Sequence, residues 1–113
     1  MNNADKQAEF QGRQQRAMVR LMVECRQLIP TDWREAILEI DRNDMSEGSR
    51  TIKHRLHNRI TGEEIFNFSD RMFIASSLLH GLYSRYDMEW NHCILTMWFD
   101  DAGKVLDYEA TFE

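Results

Sequence analysis

Four histidines, two cysteines and the adjacent pair Asp100-Asp101 are the residues of this chain whose types could hold a metal ion or move a proton. His54 and His57 stand three apart in an alternating run, Thr51 to His57. On a strand that spacing points them to opposite faces, which is wrong for two ligands of one metal. His92 and Cys93 are neighbours, and no CxxC or HExxH spacing joins any of these residues into a zinc motif. Asp100-Asp101 could bind a divalent cation, but acids placed before Ala102-Gly103 are also ordinary hairpin-loop residues. The chain has no GxGxxG, GxxxxGK[ST] or GxSxG either. The expectation is a protein that is not an enzyme, with no cofactor and no metal. The rival is a small metal- or ligand-binding enzyme using His54, His80, His92 and the Asp100-Asp101 loop.

Charge narrows the partners. The net charge is −5, but residues 1–30 carry five basic and three acidic side chains while residues 31–113 carry nine basic and sixteen acidic ones. A basic partner should therefore meet the later part. Lys6, Arg13, Arg16 and Arg20 share one face of the first segment and could touch phosphates. Glu9 and Glu24 interrupt that population, and no exposed aromatic accompanies it for base stacking, so direct nucleic-acid binding is not expected. Cys25 and Cys93 lie among apolar residues and read as buried thiols, not as a disulfide. No apolar run approaches the roughly 20 residues that span a bilayer, and Met1-Asn2-Asn3-Ala4-Asp5-Lys6 lacks the order of a signal peptide. A cytoplasmic protein without membrane contact is expected.

The 113 residues, 42% of them hydrophobic and 29% charged, suit one globular domain over 1–113. From Asp5 to Leu28 good helix formers predominate, and Phe10, Ala17, Met18, Leu21, Met22, Cys25 and Leu28 form one stripe at helical spacing. Pro30 should end that helix. Trp33 to Arg42 could open with a capping box from Asp32 and Glu35, yet Leu38-Glu39-Ile40-Asp41 alternates, and a strand is the reading adopted. Asn43 to Ser49 reads as a hairpin turn, Thr51 to His57 as a second strand, and Gly62 as a further turn. Ile65 to Phe68 is long enough only for a short third strand. Ser69 is a plausible N-cap for a second helix to about Tyr86, with Met72, Ile74, Ala75, Leu78, Leu79, Leu82, Tyr83 and Tyr86 on its apolar half. Phe73 falls off that half. Cys93, Leu95, Met97 and Phe99 alternate before a loop closed at Gly103, and Leu106, Tyr108, Ala110 and Phe112 alternate after it, which is a β-hairpin. The fold class is α+β: a long N-terminal helix and a second helix packed on one face of a four- to five-stranded antiparallel sheet.

If the apolar sides of the last two strands face the helices, their other side faces water. It would carry Ile94, Thr96 and Trp98 beside Val105, Asp107 and Glu109, with Ile37, Glu39 and Asp41 on the first strand. A Trp among aliphatic and acidic residues suits a protein-binding surface. Glu39 and Asp41 could instead pair across the hairpin with Lys53 and Arg55, whereas Trp98, Asp107 and Glu109 have no evident basic partner. The candidate partner-binding residues are Trp98, Asp107, Glu109, Glu39 and Asp41, with Asp100 and Asp101 at the loop.

Ile29-Pro30-Thr31-Asp32-Trp33, directly after the long helix, resembles the Ile-Pro-x-x-Trp junction of the YezG-type antitoxin and immunity family of bacterial polymorphic toxin systems. Trp98-Phe99-Asp100-Asp101-Ala102-Gly103-Lys104 and Asp107-Tyr108 resemble that family's closing hairpin, with its Gly-Lys turn before an Asp-Tyr pair. The middle of the chain matches in the order of its elements. One departure is the second strand, where family members often carry aromatic and acidic residues and this chain has Lys53, His54, Arg55 and His57. The resemblance implies a non-catalytic protein that binds and neutralises one cognate secreted toxin domain, frequently a basic nuclease, by occluding its substrate-binding or active-site surface. A homodimeric adaptor that uses the exposed sheet face on itself is a further alternative.

Overall fold

The computed structural model describes residues 3–44 and 50–113. The predicted helix forms as α1, Asn3–Leu28, and stops where Pro30 requires it. A tight turn, in which the Trp33 N–H donates to the Pro30 carbonyl at 3.3 Å, leads into β1, Glu35–Asp44. The chain then forms β2 (Arg50–Asn58), β3 (Glu64–Ile65), α2 (Asp70–Arg85), β4 (His92–Phe99) and β5 (Val105–Phe112). The predicted turn, Asn43 to Ser49, begins too early, because Asn43 and Asp44 continue β1 in register with β2; residues 45–49 lie outside the described residues.

The five strands form one antiparallel sheet in the order β3-β2-β1-β4-β5, so the first strand in sequence is the central one. Both helices cover one face, which makes this the expected α+β architecture of two layers. The smallest dimension, 22 Å, is what one helix layer on one sheet occupies. Between the layers, Met18, Leu21, Met22 and Cys25 of α1 meet Leu38 and Ile40 of β1, Leu56 of β2, and Cys93, Leu95, Met97 and Phe99 of β4. The predicted stripe of α1 is the packing face, and Cys25 and Cys93 are free buried thiols. Burial pushes both thiols up, Cys93 to about 12, which makes them poor nucleophiles.

Local signals act as expected at the turns. Ser69 caps α2 by accepting the Met72 N–H at 3.3 Å. Asn58 Oδ1 accepts from the N–H of Ile60 at 2.8 Å and of Thr61 at 3.2 Å, and Gly62 takes a positive φ of 77° to complete that turn. Asp100 does the same in the last hairpin, accepting from Ala102 N at 2.9 Å and Lys104 N at 2.8 Å, with Gly103 at φ 83°.

Three further expectations need correction. The third strand is Glu64–Ile65, not Ile65 to Phe68, and Phe66 is 78% exposed. The buried face of α2 consists of Met72, Ala75, Ser76, Leu79, Leu82 and Tyr83, while Ile74 and Leu78 are half exposed. The face is rotated because Ser76, a polar residue, belongs to it: its hydroxyl lies 2.6 Å from His54 Nε2, which satisfies it without water. Finally, a bulge shifts β5. Trp98 pairs with Asp107 but Phe99 pairs with Val105, so Leu106 is the extra residue. Val105 therefore packs on the core and Leu106 is 66% exposed, the reverse of strict alternation.

Candidate functional site

The sheet face away from the helices carries the candidate residues, and the register sets them in rows. The Arg59 N–H donates to the Glu35 carbonyl at 3.2 Å, extending the β1–β2 ladder by one residue. A row across the sheet then reads Arg59, Glu35, Trp98, Asp107. The next reads Glu64, His57, Ile37, Thr96, Glu109, followed by Arg55, Glu39, Ile94, Thr111 and by Lys53, Asp41, His92. The first two rows bring Trp98, Asp107 and Glu109 together at one corner. Glu39 and Asp41 lie toward the opposite end of the same face.

Those two carboxylates are already engaged. Glu39 meets the Arg55 guanidinium at 3.3 Å, and Arg55 also holds Glu64 at 2.5 Å, so one arginine bridges β1 and β3. Asp41 faces Lys53 in the register, yet its carboxylate bonds His92 on the other neighbouring strand. That bond, aided by the charges of Asp41 and Glu39, holds the His92 pKa above its ordinary value. Asp100 is occupied in closing its loop, and Asp101 meets Arg34 Nε at 3.1 Å.

Trp98 does have a basic neighbour, contrary to expectation. The Arg59 guanidinium stands 5.9 Å from the ring centroid while its Nη1 lies 3.2 Å from Glu35 Oε2. Arg59 was missed because it follows the end of the alternating run; the signal was its placement opposite Glu35 once the hairpin register is extended. Asp107 and Glu109 are in no ion pair among the described residues. Among the described residues, the Asp107 carboxylate accepts the N–H of its neighbour Tyr108, at 2.8 Å. Both acids are exposed beside a partly buried tryptophan, so a cation arriving there meets an aromatic surface and two carboxylates without an ion-pair partner among the described residues.

The rival constellation is not assembled. His54 lies on the helix-facing side of β2, against Ser76, Phe68 and Phe73, whereas His92 lies on the opposite side of the sheet. His80 sits on α2 with its ring 6.2 Å from that of Trp90, and the Asp100-Asp101 loop lies beyond the far end of β4. Among the described residues, no three His, Cys, Asp or Glu side chains converge as a metal site.

Burial lowers the His54 pKa to about 4, so the ring is neutral in the folded protein near neutrality. Because the folded value lies below the unfolded one, the unfolded chain binds more protons between about pH 6.5 and 4. Stability should then fall as pH drops through this window. His92, shifted the other way, loses its contribution as pH rises through its raised value. We predict that on going from pH 7 to pH 5 the parent loses about 1–2 kcal/mol more unfolding free energy than a His54→Gln variant. Urea titrations at both pH values measure this, and equal losses in the two proteins would refute it.

Among the described residues, no helix is long and apolar enough to cross a membrane. No protein-family model matches the chain, and no curated protein matches it.

Proposed function

We propose that this protein is an immunity protein: it binds a cognate toxin domain, of the basic nuclease kind, through the Trp98 corner of its open sheet face. The observation that carries this reading is the juxtaposition of Trp98 with two acids, Asp107 and Glu109, that have no ion-pair partner among the described residues. A nuclease must present positive charge to its substrate, and an acidic, aromatic surface can occlude that charge. The resemblance of the Ile29-Pro30-Thr31-Asp32-Trp33 junction and the closing hairpin to YezG-type immunity proteins supports the same reading. Glu39 and Asp41 contribute to the negative field, while their existing partners leave Asp107 and Glu109 as the acids available for direct contact.

The test is co-expression with the product of the reading frame directly upstream, where the toxin of such a pair is normally encoded. Protection of the cells and co-purification of the two proteins are expected. Trp98→Ala should weaken the complex by about 2 kcal/mol, roughly thirtyfold, and Asp107→Lys with Glu109→Lys should slow association most at low salt. A harmless or uncaptured upstream product would overturn the assignment. Undiminished affinity of a folded Trp98→Ala protein would remove the role of the tryptophan.

A further inference from the structure

Among the described residues, strand β5 is an edge: it pairs with β4 and with no other strand of the sheet. The direction of its backbone groups follows from its last bonds. His92 and Glu113 exchange both N–H···O=C bonds, at 3.1 and 2.8 Å. Thr111, Glu109 and Asp107, two, four and six residues earlier, therefore also face β4, and the N–H and C=O groups of Tyr108, Ala110 and Phe112 point away from the sheet. Such a row is a template for another strand.

What flanks this row differs on its two sides. On the helix side, a groove of about 490 Å³ runs between α1 and β5, lined mainly by Val19, Met22, Val23, Val105, Leu106 and Tyr108, with Arg26 and Asp107 also on its wall. Val19 and Val23 are nearly half exposed, and Leu106, 66% exposed, lines the same groove. On the open side stand Asp107 and Glu109. An added strand would place alternate side chains on these two sides.

We infer that β5 is the docking edge for an extended segment of the partner protein, in which lysine or arginine alternates with apolar residues. The apolar side chains enter the Val19–Val23–Leu106 groove, and the cations meet Asp107 and Glu109. The incoming carbonyl takes the Tyr108 N–H now held by Asp107, which frees that carboxylate for the cation. A second copy of this chain suits the edge poorly: two-fold pairing of β5 with itself sets Asp107 or Glu109 opposite Asp107, Glu109 or Glu113, and like charges directly opposite are destabilising. This inference deepens the immunity reading by naming how the toxin is held, and it rests on that reading for the partner's identity.

The probe is an acetylated and amidated peptide of sequence Lys-Val-Arg-Val-Lys-Val-Arg-Val, titrated into the isotopically labelled protein. The amides of Ala110 and Phe112 should gain protection from hydrogen exchange. Leu106→Glu, at a site too exposed to unsettle the core, and Ala110→Pro, at an N–H that β4 does not use, should each weaken binding at least about tenfold. Should Ala110→Pro fail to fold, Leu106→Glu decides alone. Unchanged affinity of Leu106→Glu, or peptide protection elsewhere than β5, overturns the inference. So does a dimer of the parent that Ala110→Pro or Leu106→Glu dissociates, because the edge would then belong to a second copy. In the co-expression assay, full protection by Leu106→Glu sinks the edge and leaves the immunity reading standing. Peptide bound at β5 beside a harmless upstream product does the reverse.

Discussion

Truncating Trp90 to alanine is expected to lower the unfolding free energy by about 3–5 kcal/mol, the largest effect of any single substitution proposed for this protein. Trp90 is 2% exposed and stands just before β4, where the C-terminal strand returns to the helix layer. Its ring meets Tyr83 of α2 at 6.4 Å and Phe112 of β5 at 5.7 Å between centroids. Its carbonyl accepts from Arg42 Nη1 at 2.6 Å, and the same guanidinium stands 5.7 Å from the ring centroid. Removing the indole thus leaves a cavity between the helix layer and the end of the sheet, and strips one face from a buried cation. Among the described residues the indole N–H has no hydrogen-bond partner, so Trp90→Phe removes an unsatisfied donor together with some volume and should cost only about 1–2 kcal/mol. Urea unfolding of both variants gives the comparison, with unchanged m-values expected. A Trp90→Ala protein within about 1 kcal/mol of the parent would sink this account of how the C-terminus is anchored.

The second large effect is expected at Gly103. Its φ of 83° costs a residue with a Cβ about 1–2 kcal/mol. An added Cβ would also lie 2.7 Å from Arg26 Nε and 2.9 Å from its Cζ. Arg26 has reasons to stay: its guanidinium stands 5.3 Å from the Phe99 ring centroid, and its Nη1 donates to the Pro30 carbonyl at 3.2 Å. Gly103→Ala should therefore cost about 2–3 kcal/mol in total. The two contributions separate in a double-mutant cycle. In an Arg26→Ala background only the backbone strain remains, so Gly103→Ala should cost about 1 kcal/mol less there than in the parent. Equal costs in both backgrounds would show that Arg26 moves away freely.

Much of the frame was legible because its causes are local. Pro30 cannot continue a helix, Ser69 offers an oxygen to a helix start, and Gly62 and Gly103 accept positive φ; each acts through its own backbone. The alternation of Cys93, Leu95, Met97 and Phe99 against Ile94, Thr96 and Trp98 likewise sorted β4 into a buried and an open face, as the burial pattern has it. The site was legible in part. Trp98, Asp107 and Glu109 do share a corner, because period-two alternation carries them to one face on strands joined by a short loop. Ile74, Leu78 and Leu106 were misplaced because residue type alone does not say which of several apolar positions a neighbour will cover.

By itself, then, the sequence determined the kinds of element, most of their boundaries and the faces of β4, all consequences of side-chain period and backbone freedom within a few residues. Only the tertiary structure decided that β1 is central, that Asp41 turns to His92 and away from Lys53, and that Arg59 stands over Trp98. It also decided that a bulge leaves Leu106 exposed, and that Asp107 and Glu109 stand on an edge strand with no ion-pair partner among the described residues. These depend on the register between strands, some far apart in the chain, and a slip of one residue would exchange every side chain between the two faces.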